Sequence, residues 1–268
     1  SSVQYWHLMA MTDAILHPDA LAARLRAAGC VFAEDEARIL LEHSADAREL
    51  ASLVMRREFG EPLETIVGWV DIAGLRLAVA HGVFVPRQRT ARIARAAAAI
   101  AAAIAATREH PVVVEACCGV APIVALVSAR VPTATIIAFD IDPAAVAVAS
   151  RNLAPSAIVQ VGSALAALPP ALRGRVDLIA AVPPYVPNGE RRLMPHDTFT
   201  NEPSAAVLGG DDGLDVARAL IAEAPQWLAS GGRILLELHR SQVPVAAAFA
   251  RRHGLITHRR AVAADGQT

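Results

Sequence analysis

The chain has 268 residues, 25 basic and 26 acidic side chains, a formal charge of −1 and 54% hydrophobic content. That length suits a catalytic domain with a small appendage, and the near-neutral balance gives no general attraction to a polyanion, so nucleic acid is not an expected partner. Three cysteines, two of them adjacent at Cys117 and Cys118, form neither a disulfide framework nor a metal-binding spacing. The nine histidines lack one as well, so no metal is assigned and a reducing cytoplasm is the expected compartment.

Residues 1–10, S-S-V-Q-Y-W-H-L-M-A, lack a basic start followed by a long apolar core and read as a remnant ahead of Met11, outside the fold. Over residues 11–60 the apolar period is helical: Leu21, Leu25 and Ala28, then Ile39 and Leu40, then Leu50, Leu53 and Val54. Asp19 and Glu34 to Glu36 supply acidic first turns, and Gly29 and Gly60 mark stops, so a helical N-terminal domain is expected there. Residues 61–90 change period, with Leu75, Leu77 and Val79 alternating against Arg76 and Ala78. They predict a β-hairpin linker turning at Ala73-Gly74. The Ala-rich stretch 96–106 falls short of the roughly 20 residues that span a bilayer. Flanked by Arg92, Arg95 and Arg108, it is expected as a buried helix, and no membrane partner is expected.

Residues 91–268 form the main domain. After Pro111 strands and helices alternate, as in a Rossmann-like, doubly wound α/β sheet. Strands are expected at 112–114, 136–139, 159–161, 178–181 and 234–238, with helices at Pro122–Arg130, Pro143–Asn152 and 214–228. A long polar insertion at 194–213 is of the kind that builds substrate sites.

The run V-D-L-I-A-A-V-P-P-Y-V-P at 176–187 places Pro183-Pro184-Tyr185 directly after an apolar strand. Two prolines fix φ and remove two amides, so the carbonyls around them are expected to face a pocket closed by Tyr185. The turn resembles the Asn-Pro-Pro-Tyr signature of class I, S-adenosylmethionine-dependent N-methyltransferases. Four further segments accompany it: E-P-L-E-T-I-V-G-W (61–69), G-V-F-V-P-R-Q-R-T (82–90), F-D-I-D-P-A-A-V (139–146) and N-E-P-S-A-A-V-L-G-G-D-D-G-L-D (201–215). In this order and spacing they resemble the HemK/PrmC-type release-factor (protein-glutamine) methyltransferases, over residues 19–265.

The resemblance implies a class I methyltransferase fold, S-adenosyl-L-methionine as cofactor, and a site residue by residue. The family's Asp-Leu-Gly-x-Gly-x-Gly turn falls on Glu115, Cys117, Cys118, Gly119, Val120 and Ala121, where Gly119 alone is retained. Stiff Val120 and amide-less Pro122 are then expected to narrow the cofactor pocket and weaken binding. Asp140 takes the place of the acid that accepts the ribose hydroxyls, with Asp142 the helix cap. Ser163 stands where a carboxylate lies by the adenine. Val182 replaces the asparagine that holds the target amide, beside Pro183, Pro184 and Tyr185. By analogy with loss of an oxyanion donor, glutamine methylation is expected to fall by roughly 10²–10³.

The acceptor is expected to be a release-factor-like glutamine loop of a protein or a diverged small molecule. The alternative is a catalytically silent or repurposed member that binds a ligand or partner. After residues 256–263 the family's last antiparallel strand is missing from the pattern, which leaves six strands or an incomplete sheet edge and makes a homodimer the expected remedy.

Overall fold

The computed structural model describes residues 17–193 and 203–258. The expected remnant at 1–10 and the expected gap at the end of the sheet lie outside them.

Helices α1 (Pro18–Ala27), α2 (Ala33–His43), α3 (Ala47–Glu58) and α4 (Leu63–Val67) pack around Leu21, Leu25, Leu40, Leu50 and Val54, a cluster of their own. The glycine stops hold: Gly29 has φ 93° and Gly60 φ 88°, left-handed values just past α1 and α3. A partly buried ion pair, Arg57 Nε to Glu36 Oε2 at 2.6 Å, ties α3 to α2. The hairpin follows as β1 (Trp69–Ile72) and β2 (Leu75–Ala78), antiparallel about Ala73 and Gly74, whose φ values of 58° and 86° are those of a type I′ turn.

Helix α5 (Thr90–Ala105) corrects one expectation. Ala94, Ala97, Ala98 and Ala101 are buried, whereas Ala102 and Ala103 are exposed, so the Ala-rich helix is buried on one face only. No helix among the described residues is long and apolar enough to cross a membrane.

The main sheet holds β3 (Val112–Ala116), β4 (Thr135–Asp140), β5 (Ile158–Val161), β6 (Val176–Ala181) and β7 (Leu228–Leu236), in the order β5-β4-β3-β6-β7 and parallel throughout. Helices α6 (Pro122–Arg130), α7 (Pro143–Asn152) and α8 (Asp215–Trp227) connect it. Side-chain alternation assigns the two faces. Val113, Ala138 and Leu178 join the cluster under α5 and α6, while Val114, Ile137 and Ile179 pack against Leu220 and Trp227 of α8. Strand order reverses between β3 and β6, and in such sheets that switch point opens a crevice at the carboxyl ends.

Two elements depart from expectation. Strand β7 begins at Leu228, well before residue 234, because Gly231 (φ 75°) makes a register shift within the strand rather than ending it. Helix α9 (Val243–Arg252), for which the sequence raises no expectation, carries a proline in its first turn and buries Ala246, Ala247 and Ala250.

Asn152, the last residue of α7, binds the hairpin to the main domain. Its Oδ1 accepts from the Ala78 amide at 2.7 Å, and its Nδ2 donates to the Ala78 carbonyl at 3.0 Å and the Val120 carbonyl at 2.9 Å. Asn152→Ala strips these backbone groups of their partner and should cost about 1–3 kcal/mol in denaturant unfolding. A loss within a few tenths would show that water replaces the side chain.

Candidate active site

A cavity of about 730 Å³ lies at the switch point. Its walls come from the turns after β3 (Cys117, Gly119), β4 (Asp140, Asp142), β5 (Ser163) and β6 (Val182, Pro183, Pro184, Tyr185), and from Phe84, Arg87 and Arg89 ahead of α5.

The turn after β3 takes left-handed backbone at three positions with a single glycine. Positive φ falls on Cys117 (51°), Gly119 (52°) and Ala121 (63°), the three glycine positions of the motif. Two non-glycine residues in this region cost about 1–2 kcal/mol each, so other bonds must hold the turn. Asp140 Oδ2 accepts from the Gly119 amide at 2.9 Å, and the Cys118 amide donates to the Phe139 carbonyl at 3.1 Å. Buried Glu115 accepts the Ile123 and Val124 amides at 3.3 and 2.8 Å, replacing the missing cap of α6.

Of the cofactor residues expected from sequence, Cys117, Gly119, Asp140, Ser163 and Val182 line the cavity. Glu115, Cys118, Val120 and Ala121 do not: all four are buried behind it. Val120 therefore does not narrow the cavity; its side chain belongs to the hydrophobic cluster beneath the turn. Nor is the start of α6 an open anion site that Pro122 spoils, because Glu115 takes the next two amides. The Cys117 side chain intrudes instead, where the motif has glycine. Burial pushes its thiol up to about 12, so it is an inert wall rather than a nucleophile.

Asp140 closes β4 with each carboxylate oxygen on one backbone amide, Oδ2 on Gly119 and Oδ1 on Asp142 at 3.0 Å. Burial raises its carboxyl, and the Asp142 and Gly119 amides pull it back. The Ile141 amide pulls it the same way. Asp142 caps α7 by accepting the Ala144 amide at 2.8 Å. Ser163 is exposed on the cavity wall.

Past β6, the Pro-Pro-Tyr turn is braced by residues 207–213. Val186 exchanges backbone bonds with Val207 (3.0 Å) and Gly209 (2.9 Å), and Gln242 Nε2 donates to the Tyr185 carbonyl at 2.8 Å and the Asp212 carbonyl at 3.0 Å. A Cβ on Gly209 would stand 2.3 Å from the Pro184 carbonyl oxygen, and one on Gly213 2.1 Å from that of Tyr185. This corrects the expectation that the carbonyls about both prolines face the pocket: that of Pro184 is packed on Gly209.

Sequence reasoning missed the neighbours of Tyr185. Arg89 donates from Nη2 to the Tyr185 hydroxyl, and its Nε lies 3.4 Å from Glu237 Oε1. Burial raises the Tyr185 phenol and the Glu237 carboxyl, and the Arg89 charge lowers both. The segment G-V-F-V-P-R-Q-R-T carried the signal, but a side chain reaching 96 positions along the chain is set by tertiary structure alone.

No protein-family model matches the chain. It is 36% identical over 208 residues to a 4-amino-L-phenylalanine/4-methylamino-L-phenylalanine methyltransferase of Streptomyces pristinaespiralis, covering 76% of this chain and 70% of that protein. It is 33% identical over 254 residues to the release factor glutamine methyltransferase of Deinococcus radiodurans, covering 87% and 88%. With that of Mycolicibacterium smegmatis it shares 31% over 237 residues, 82% of each. The chain belongs to the HemK/PrmC family of release factor glutamine methyltransferases. This family member is an S-adenosylmethionine-dependent methyltransferase resembling the protein-glutamine enzymes. Among solved structures, the hMettl16 catalytic domain in complex with MAT2A 3'UTR hairpin 6 superposes with TM-score 0.51 at 14% identity, over 78% of this chain and 73% of that one, a likeness of fold.

Glu115 gives this family member a pH signature. Burial raises its carboxyl from 4.5 to about 8, against the pull of the Val124 and Ile123 amides. A carboxyl raised on folding binds more protons in the native state, so its contribution is full below about 4.5 and is lost as pH rises through about 8. Stability should fall across that window with a slope of at most about 1.4 kcal/mol per pH unit. Glu115→Gln should flatten the slope in urea titrations at several pH values; an unchanged slope would assign it to another group.

Proposed function

We propose that this protein transfers the methyl group of S-adenosyl-L-methionine to an amine nitrogen on a small aromatic molecule, in the cytoplasm. The observation that carries this reading is Val182, which lines the cavity at the position of the motif asparagine and has no polar side-chain atom. An amide lone pair is delocalised, so its attack needs acceptors that take up the charge developing on its N–H groups. The lone pair of an arylamine is available at neutral pH, and the site has only to hold it in line. Phe84, Val182, Pro183 and Tyr185 offer apolar walls for the ring. The relative from Streptomyces pristinaespiralis, named for an aromatic amine, supports the same reading.

The cavity fits the cofactor. Asp140 would accept the ribose hydroxyls, the left-handed backbone at Cys117 and Gly119 would face its methionine part, and Ser163 on the cavity wall would meet the adenine. When bound, the cofactor supplies an electrophilic methyl group. The chain's residues orient the partners: Asp140 anchors one, while Val182, Pro183 and Tyr185 hold the other and exclude water. A protein glutamine is the second reading, favoured by the retained Pro183-Pro184-Tyr185 and by the names of the other relatives.

Mass-spectrometric assays with S-adenosylmethionine should find 4-aminophenylalanine methylated at least about tenfold faster, in kcat/KM, than a Gly-Gly-Gln release-factor loop, a margin of about 1.4 kcal/mol. Val182→Asn should raise glutamine methylation. Faster turnover of glutamine by the unmodified protein would replace the first reading with the second, and absence of cofactor binding would favour a repurposed member that binds another ligand.

A further inference from the structure

Tyr185 hangs from a backbone with little freedom. Pro183 and Pro184 fix φ at the two positions before it, Gln242 Nε2 donates to its carbonyl at 2.8 Å, and a Cβ on Gly213 would stand 2.1 Å from that carbonyl oxygen. The side-chain torsions remain to be set. A half-buried phenol is free to sweep along the cavity wall it lines unless its far end is held. Arg89 holds it: Nη2 donates to the hydroxyl, and the guanidinium carbon lies 5.8 Å from the ring centroid. Arg89 in turn needs support, because its side chain is 59% exposed and an exposed arginine loses rotamer entropy in keeping one geometry. Glu237 supplies it, with Oε1 3.4 Å from Nε and a side chain only 19% exposed. Because the guanidinium is planar, it cannot turn about one of these bonds without breaking the other. Glu237 is itself fixed to the sheet, since its amide donates to the carbonyl of Ala181, the last residue of β6, at 3.1 Å. The contacts therefore run from the end of β7 through Glu237 and Arg89 to the ring that follows β6.

We propose that Arg89 and Glu237 are positioning residues for methyl transfer, which act through Tyr185 by holding its ring at one place on the acceptor wall. This rests on the reading above that sets the acceptor beside Pro183 and Tyr185, and it applies to a ring amine and to a glutamine alike. In-line transfer depends on the angle at which the acceptor nitrogen meets the methyl group. A ring held at both its backbone and its hydroxyl orients the acceptor, whereas a ring held at its backbone alone does not. A pair that served only to join α5 to β7 would matter equally with and without the Tyr185 hydroxyl, which separates the two roles.

The test is a double-mutant cycle between Arg89→Gln and Tyr185→Phe, read with S-adenosylmethionine and whichever of 4-aminophenylalanine and the Gly-Gly-Gln loop the unmodified protein methylates faster. Each single variant should lower kcat about tenfold, the size of a lost hydrogen bond to a charged group. The KM for S-adenosylmethionine should not follow. The double variant should be no slower than either single one, because both changes remove the same contact. Glu237→Gln should lower kcat by less than Arg89→Gln does, and should add nothing to it when the two are combined. Tyr5 and Tyr185 are the two tyrosines of the chain, so ring-labelled tyrosine gives an NMR signal for Tyr185 that should move in Arg89→Gln. Thermal unfolding of each variant checks that the fold is kept. An unchanged kcat in Arg89→Gln, losses that multiply to about a hundredfold in the double variant, a loss that falls on the KM for S-adenosylmethionine, or an unmoved Tyr185 signal overturns the inference and leaves the reading of the acceptor wall standing. Methylation of neither acceptor sinks both.

Discussion

Two carboxyl side chains hold the turn on which the cavity is built. Residues 117–121 take left-handed backbone at three positions, and only one of them is glycine. The strain at Cys117 and Ala121 is offset from either side. Asp140 fixes the Gly119 amide, Glu115 fixes the start of α6, and Asn152 holds the Val120 carbonyl in between. Glycine makes such a turn easy to form, whereas these side chains make it hard to leave. Asp140 is thereby both a loop anchor and, in the proposed reading, a ligand, so the site's shape and its affinity depend on one side chain.

The opposite wall follows a different rule. The Pro-Pro-Tyr turn has few amides of its own, and it is kept in place by close backbone contact with residues 207–213 and by Gln242. Gly209 and Gly213 are needed there because a Cβ would meet a carbonyl oxygen at 2.3 or 2.1 Å. With the scaffold intact, exchanging asparagine for Val182 changes the chemistry of the wall without moving it. Arg89, just ahead of α5, bonds the Tyr185 hydroxyl and pairs with Glu237.

Much of this was legible from sequence. The hairpin turn at Ala73-Gly74, the helices Pro122–Arg130 and Pro143–Asn152, and the family membership all follow from local patterns that tertiary packing reinforces. Position in the motif did not reveal direction: Val120 reads as a cavity residue but points into the core, and Glu115 reads as a ligand but caps a helix. Main-chain dihedrals alternate along the turn, so neighbouring residues face opposite ways and only coordinates say which. Arg89 escaped because its partners are Tyr185 and Glu237, far along the chain.

The central claim is that a turn held by carboxyl side chains, rather than by glycines, still makes a cofactor site centred on Asp140. Calorimetric titration of S-adenosylhomocysteine into the protein and its Asp140→Ala variant tests it most directly. The account predicts saturable one-site binding to the unmodified protein and at least about a tenfold loss in the variant, as removal of a charged acceptor from two hydroxyls requires. Equal affinity in the two proteins, with the variant still folded, would contradict it.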